Sequence, residues 1–176
     1  MKFKAGDKFP LISVTTATGK ELALPVAGVR YTHVQFRRFS GCPICNVHIA
    51  SLRQSKDRLI EAGIHEVLFF HSNKEDISSY HNDLPFDAVA DPEKRYYRQF
   101  GIESSWGYAM NLRALWAAVR GMGGKFGLKS NGGKTGLPAD FLVAPDGVIK
   151  AVKYGRHAYD QWSVKEILEL AKDTTV

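Results

Sequence analysis

Between Tyr31 and His48 the pattern of the chain changes period, and its only two cysteines fall at the change. From Tyr31 to Phe36, Tyr31, His33 and Gln35 alternate with Thr32, Val34 and Phe36, which is the period of a strand. Beyond Cys42-Pro43-Ile44-Cys45, residues Ile49, Leu52, Leu59 and Ile60 recur at helical spacing, with Arg53, Lys56, Asp57 and Arg58 between them and Gly63 as the stop. A strand that hands a Cys-x-x-Cys pair to the start of a helix places two thiols one turn apart, close enough to bond to each other. The positive end of the helix dipole favours their thiolate forms there. The chemistry this predicts is reversible thiol–disulfide exchange or thiol oxidation.

The remaining pieces alternate strand and helix around that junction. Leu11-Ile12-Ser13-Val14 and Leu22-Ala23-Leu24, separated by Thr18-Gly19-Lys20, predict an amino-terminal hairpin. Val67-Leu68-Phe69-Phe70 suits a buried parallel strand. Asn73 is placed to cap a helix with Ile77, Tyr80 and Leu84 facing inward. Phe86 to Ala90 reads as a short strand, and Asp91-Pro92-Glu93 as a helix start with a capping acid and proline at the first helical position. Tyr96, Tyr97 and Phe100 line the buried side of that helix. Residues 104–136 interrupt the rhythm with a helical stripe (Met110, Leu112, Leu115, Trp116, Val119) and a glycine-rich stretch carrying Lys125, Lys129 and Lys134. Phe141-Leu142-Val143 and Val148 to Val152 flank the turn Pro145-Asp146-Gly147, and Ser163-Val164-Lys165-Glu166 is a capping box for a last helix. The order predicts an α/β fold, one domain over residues 1–176 with an insertion at 104–136, and a mixed central sheet flanked by helices.

A chain of 176 residues buries a core without disulfide staples. A Cys-x-x-Cys bridge closes too short a loop to add much stability, so the cysteines are read as reactive rather than structural. The formal charge of +6 raises a nucleic-acid or membrane reading. Lys and Arg are scattered along the chain without an accompanying nucleic-acid motif, and no apolar run approaches membrane-spanning length, so neither partner is expected. The start, Met1-Lys2-Phe3-Lys4-Ala5-Gly6-Asp7, has no apolar stretch before a cleavage site, which makes the reducing cytoplasm the expected compartment.

The redox segment, the opening Ala5-Gly6-Asp7-Lys8-Phe9-Pro10 and Phe86-Asp87-Ala88-Val89-Ala90-Asp91-Pro92 together resemble the peroxiredoxin-like branch of the alkyl hydroperoxide reductase and thiol-specific antioxidant (AhpC/TSA) family, within the thioredoxin-like superfamily. The resemblance implies a thioredoxin-like fold, a thiol-dependent antioxidant activity and no prosthetic group. The peroxiredoxin signature Pro-x-x-x-Thr/Ser-x-x-Cys is not kept: with Cys45 as the peroxidatic cysteine, Cys42 stands at the Thr position and Arg38 at the Pro position. The arginine expected on the late strand is replaced around Asp140. Laid over thioredoxin the cysteines match, but Phe36 stands where that family carries a buried acid. The resemblance also puts Pro138 where thioredoxin-like proteins carry a cis proline facing the dithiol, so that Leu137 would offer its backbone to a substrate.

The dipole argument makes Cys42 the more exposed thiol and the exchange nucleophile, with Cys45 resolving. The peroxiredoxin alignment reverses these roles and takes Cys45 to a sulfenic acid. His48 is read either as a polar neighbour that tunes a thiolate or as an exposed helix residue without a role. Arg37, Arg38 and Arg156 are candidates for a positive field near the thiols or, more plainly, solvated arginines. Cys42, Cys45 and His48 fall at three-residue steps, but a structural zinc needs four ligands, and no metal is expected. Gly132-Gly133-Lys134-Thr135 misses the phosphate-loop spacing. Tyr154 to Trp162 is read as a turn with Trp162 buried beside the last helix.

The sequence therefore predicts a thiol oxidoreductase whose Cys42/Cys45 couple reduces disulfides or hydroperoxides, supported by Arg38, His48 and Pro138. It would be recycled by a cellular dithiol reductant such as a thioredoxin system, and a homodimer is left open. The contrasting reading is a redox sensor or binding module whose 104–136 insertion docks a partner.

Overall fold

The computed structural model describes residues 2–102 and 135–172. The predicted hairpin forms from β1 (Ile12–Thr15) and β2 (Glu21–Leu24), paired antiparallel with Val14 opposite Leu22. The central sheet has five strands in the order β5-β4-β3-β6-β7. Its members are β3 (Tyr31–Arg37), β4 (Ile64–Phe70), β5 (Asp87–Ala90), β6 (Ala139–Val143) and β7 (Ile149–Tyr154). β3, β4 and β5 run parallel, and β6 and β7 run antiparallel, so the sheet is mixed as expected.

Period-two alternation divides the apolar residues between two faces. Val34, Phe36, Val67, Phe69, Phe141 and Val143 pack on one face with Val14, Leu22 and Leu24 of the hairpin and with Tyr96, Tyr97 and Phe100. Leu68, Phe70 and Leu142 face the other way, against α1 (Pro43–Gln54), α2 (Lys56–Glu61), α3 (Lys74–His81) and α5 (Val164–Lys172). This is the thioredoxin-like arrangement, with the first long helix following the central strand β3.

Two helix predictions need correction. The helix after the cysteines is two helices: Ser55, at φ −106°, leaves helical geometry and shares its N–H between the carbonyls of Ser51 and Leu52. Leu52 and Leu59, seven residues apart across the break, keep the same buried face, whereas Ile60 turns outward and is 58% exposed. The Asp-Pro segment makes a turn, and α4 (Arg95–Gln99) begins only after Lys94, which takes a left-handed conformation at φ 56°. Asp91 still caps it, its carboxylate accepting from the N–H groups of Arg95, Tyr96 and Tyr97 at 2.7, 3.0 and 3.2 Å. The other caps form as predicted. Asn73 accepts from Asp76 N–H at 2.8 Å, and Glu166 accepts from Ser163 N–H at 2.7 Å while its own N–H reaches the Ser163 hydroxyl.

The insertion expected at 104–136 lies outside the described residues except for Thr135 and Gly136, as does most of the rejected phosphate loop. Among the described residues no helix is long and apolar enough to cross a membrane.

Candidate active site

Cys42 is the N-cap of α1 and Pro43 its first residue, a position where proline forfeits no helical hydrogen bond. The turn Arg38 to Cys42 that precedes it is closed by Cys42 N–H donating to Phe39 C=O at 3.0 Å. Side chains from the β4–α3 segment hold the same turn: Ser40 N–H donates to Ser72 Oγ at 3.0 Å, and His81 Nε2 lies 2.9 Å from Ser40 C=O. Burial holds the His81 imidazole down at about 4, so it is neutral and Nε2–H is the donor.

Both cysteines are reduced and buried, Cys42 1% and Cys45 0% exposed. Exposure therefore does not separate Cys42, expected to be the more exposed thiol, from Cys45. Phe39, Ile44, Phe70, Ile77 and Ala158 close around the pair and cover it. The two thiols nevertheless differ. Burial pushes the Cys42 thiol up, but the hydrogen bond from Cys45, the Arg38 guanidinium and the N–H groups of Cys45 and Ile44 outweigh it and bring Cys42 down to about 6. Arg38 Nη1 donates to Cys42 Sγ at 3.4 Å. Cys45 is pushed well up, first by that hydrogen bond to Cys42 and then by burial, with Arg38 and its N–H opposing.

The candidate supports fall in different places. Arg38 is 3% exposed, against the plain reading of a solvated arginine, and lies at the thiols. Arg156 is a surface residue paired with Asp160 at 3.2 Å. Arg37 is fully buried on the sheet, donating from Nη2 to Asp140 Oδ1 at 2.5 Å and to Gln35 Oε1, while its carbonyl accepts from Tyr97 OH. His48 is buried rather than exposed, its Nε2 3.2 Å from Arg37 Nη2. Burial first and then the Arg37 charge hold it well below its ordinary range, so it is a neutral acceptor that ties α1 to the sheet. The Leu137–Pro138 bond is trans, the cis peptide among the described residues being Leu24–Pro25. Pro138 C=O accepts from Gly155 N–H at 2.8 Å.

Sequence reasoning missed a buried polar network under α1. His33, Gln35 and Arg37 occupy one face of β3, between Glu66 on β4 and Asp140 on β6. His33 Nδ1 lies 2.8 Å from Glu66 and Nε2 lies 3.3 Å from Asp140; Gln35 also donates to Glu66. Burial alone would lower His33, but Glu66 and Asp140 raise it to about 9. Burial pushes the Asp140 carboxyl up, and Arg37 and His33 more than reverse this, holding it well below the usual carboxylate range. The alternation of His33, Gln35 and Arg37 was the visible signal; that their face is covered by α1 was not. Among the described residues no three His, Cys, Asp or Glu side chains converge as metal ligands.

A pair of thiols thus stands at the start of the first helix after the central strand of a thioredoxin-like sheet. Residues 51–157 match the family model described as AhpC/TSA antioxidant enzyme, which spans more than half of the chain, and the protein belongs to that family. The matched span begins beyond Cys45. No curated protein matches the chain in sequence. Among solved structures, peroxidoxin BcpB from Mycobacterium tuberculosis superposes with a TM-score of 0.73 at 14% identity, covering 99% of each chain. Peroxiredoxin 6 of Arenicola marina gives 0.73 at 15% identity, covering 97% of this chain and 72% of its own. A protein described as the thiol:disulfide interchange protein DsbE from Chlorobium tepidum gives 0.63 at 18% identity, covering 97% and 99%. These likenesses establish the fold.

Proposed function

We propose that Cys42 is the nucleophile and Cys45 the resolving thiol of a dithiol–disulfide couple that reduces disulfides or hydroperoxides. The observation that carries this reading is the opposite displacement of two thiols at one helix start, with Arg38 Nη1 3.4 Å from Cys42 Sγ. With a disulfide substrate, the Cys42 thiolate bonds to one sulfur, the S–S bond breaks and the other sulfur leaves as a thiolate. With a hydroperoxide, the S–O bond forms as O–O breaks, and Cys42 becomes a sulfenic acid. Either product removes the negative charge and the hydrogen-bond acceptor that hold the Cys45 proton. Cys45 then ionises, helped by Arg38 and its N–H, and attacks Cys42 Sγ; the disulfide forms as the bond from Cys42 to the substrate sulfur breaks and releases a thiolate, or as the S–O bond of the sulfenic acid breaks and releases hydroxide. A cellular dithiol of the thioredoxin kind would return the pair to its reduced form.

His48 and Arg38 support this scheme differently, Arg38 by stabilising the thiolate and His48 by fixing α1 on the sheet. The test is iodoacetamide alkylation across pH in the Cys42→Ser and Cys45→Ser proteins, combined with turnover of peroxide or disulfide under excess dithiothreitol. Alkylation of Cys42 with a midpoint near 6 in the wild type, and loss of turnover in both variants, is the expected result. A low midpoint that follows Cys45 instead would reverse the roles.

A further inference from the structure

His71 follows the last residue of β4, at the carboxyl end of the parallel strands, where α/β sheets place their ligands. Its ring is fully buried, 5.5 Å from Tyr97 and 6.2 Å from Phe39, yet among the described residues neither ring nitrogen has a hydrogen-bond partner. Leaving such groups unmet costs stability, and each one in a folded protein calls for a reason. The position is tied to the thiols: the next residue, Ser72, binds Ser40 of the cysteine turn. Arg38, which donates to Cys42, and Lys94, whose Nζ is drawn onto Thr135 C=O at 2.5 Å, both direct positive charge at the ring. Burial first, and then these two cations, hold the imidazole at about 3. It is therefore neutral, with one N–H donor and one acceptor nitrogen unused. Gly136 faces Nε2, and a side chain there would begin 3.0 Å from that nitrogen. Glycine lets the backbone pack close against the ring without a side chain crowding that nitrogen.

We propose that His71 is a catalytic residue of the thiol site, its ring N–H donating to the oxygen expelled when Cys42 attacks a hydroperoxide. The proposal rests on the reading of Cys42 as nucleophile and deepens it. As the S–O bond forms and O–O breaks, the leaving oxygen takes the electron pair of the broken bond and becomes an alkoxide or hydroxide. An N–H group gains most from an acceptor that is becoming charged, and the Arg38 and Lys94 field adds to that gain. The Cys45 thiol then supplies the proton that completes the alcohol or water, and the thiolate left behind attacks Cys42 Sγ, closing the disulfide as the S–O bond of the sulfenic acid breaks and hydroxide leaves. A sulfur leaving group is a much weaker acceptor, so His71 serves the oxygen reaction and not disulfide exchange.

The test compares two reactions of the same thiolate, oxidation by hydrogen peroxide and alkylation by iodoacetamide, in the reduced wild type and in His71→Phe, His71→Gln and Gly136→Ala. His71→Phe and Gly136→Ala should lose about ten- to a hundredfold in peroxide rate with the alkylation rate and its pH midpoint unchanged. His71→Gln, which keeps an N–H donor, should retain most of the rate. Equal loss of both reactions, or an undiminished peroxide rate in His71→Phe, overturns the proposal. A wild-type Cys42 with no low-pH alkylation removes the dithiol reading itself and this proposal with it. If His71→Phe does not fold, Gly136→Ala carries the test.

Discussion

Two thiols at one helix start share nearly the same dipole, and their neighbours make them different. Arg38 donates to Cys42 and Cys45 gives it a proton to share, whereas Cys45 is the donor in that bond and is fully buried, and Arg38 and its N–H only partly oppose these effects. Arg38→Met should therefore raise the Cys42 alkylation midpoint toward the ordinary thiol range and slow alkylation at pH 7 about tenfold. An unmoved midpoint would place the whole effect in the helix terminus and Cys45. The cysteine spacing was legible in the sequence because two residues on one turn are fixed by local geometry. Among Arg37, Arg38 and Arg156, nothing local separated the one that reaches sulfur from the one buried on the sheet and the one on the surface.

At the scale of elements, β3 has two buried faces of opposite character. Thr32, Val34 and Phe36 point toward the aromatic core, and His33, Gln35 and Arg37 toward α1. A buried polar face is stable only if its charges are paired, and here Glu66 and Asp140 on the flanking strands supply the counter-charges. Asp140→Asn would leave Arg37 and His33 facing a neutral amide, and should cost about 3–5 kcal/mol in urea unfolding. The exposed pair Arg53–Asp83 should respond to Asp83→Ala with no measurable change. A small loss at Asp140 would mean that water or a shifted side chain replaces the carboxylate. The alternation on β3 was readable from the sequence. Its pairing with Glu66 and Asp140, 33 residues downstream and 103 residues from Arg37, needed the strand order.

For the whole molecule, the buried imidazoles set how stability follows pH. His48, His71 and His81 are held below the ordinary 6.5, so the unfolded chain binds more protons than the folded one as pH falls under that value. Stability should drop by about 1 kcal/mol per histidine for each pH unit below 6.5. His33 has the opposite sign: raised to about 9, it contributes fully below 6.5 and loses that contribution as pH climbs to 9. Cys42, lowered from 9.0 to about 6, gains its contribution over nearly the same interval in the reduced protein, so the two offset. Urea midpoints of the reduced protein should be nearly level between pH 6.5 and 9 and fall steeply toward pH 5. A level profile down to pH 5 would show that these imidazoles charge freely in the folded state.

The sequence by itself determined the alternation of strands and helices, the hairpins, the caps at Asn73 and Ser163, and the dithiol at a helix start, because each depends on periodicity or on contacts within a few residues. Tertiary structure alone decided that Arg38 reaches the thiol, that His48 turns to the sheet, that Leu137–Pro138 stays trans with Pro138 C=O paired to Gly155, and that His71 is buried without a hydrogen-bond partner for its ring among the described residues. Those outcomes follow from which distant segments share a face of the sheet, and burial together with the charges and hydrogen bonds met there then sets the charge of each enclosed group.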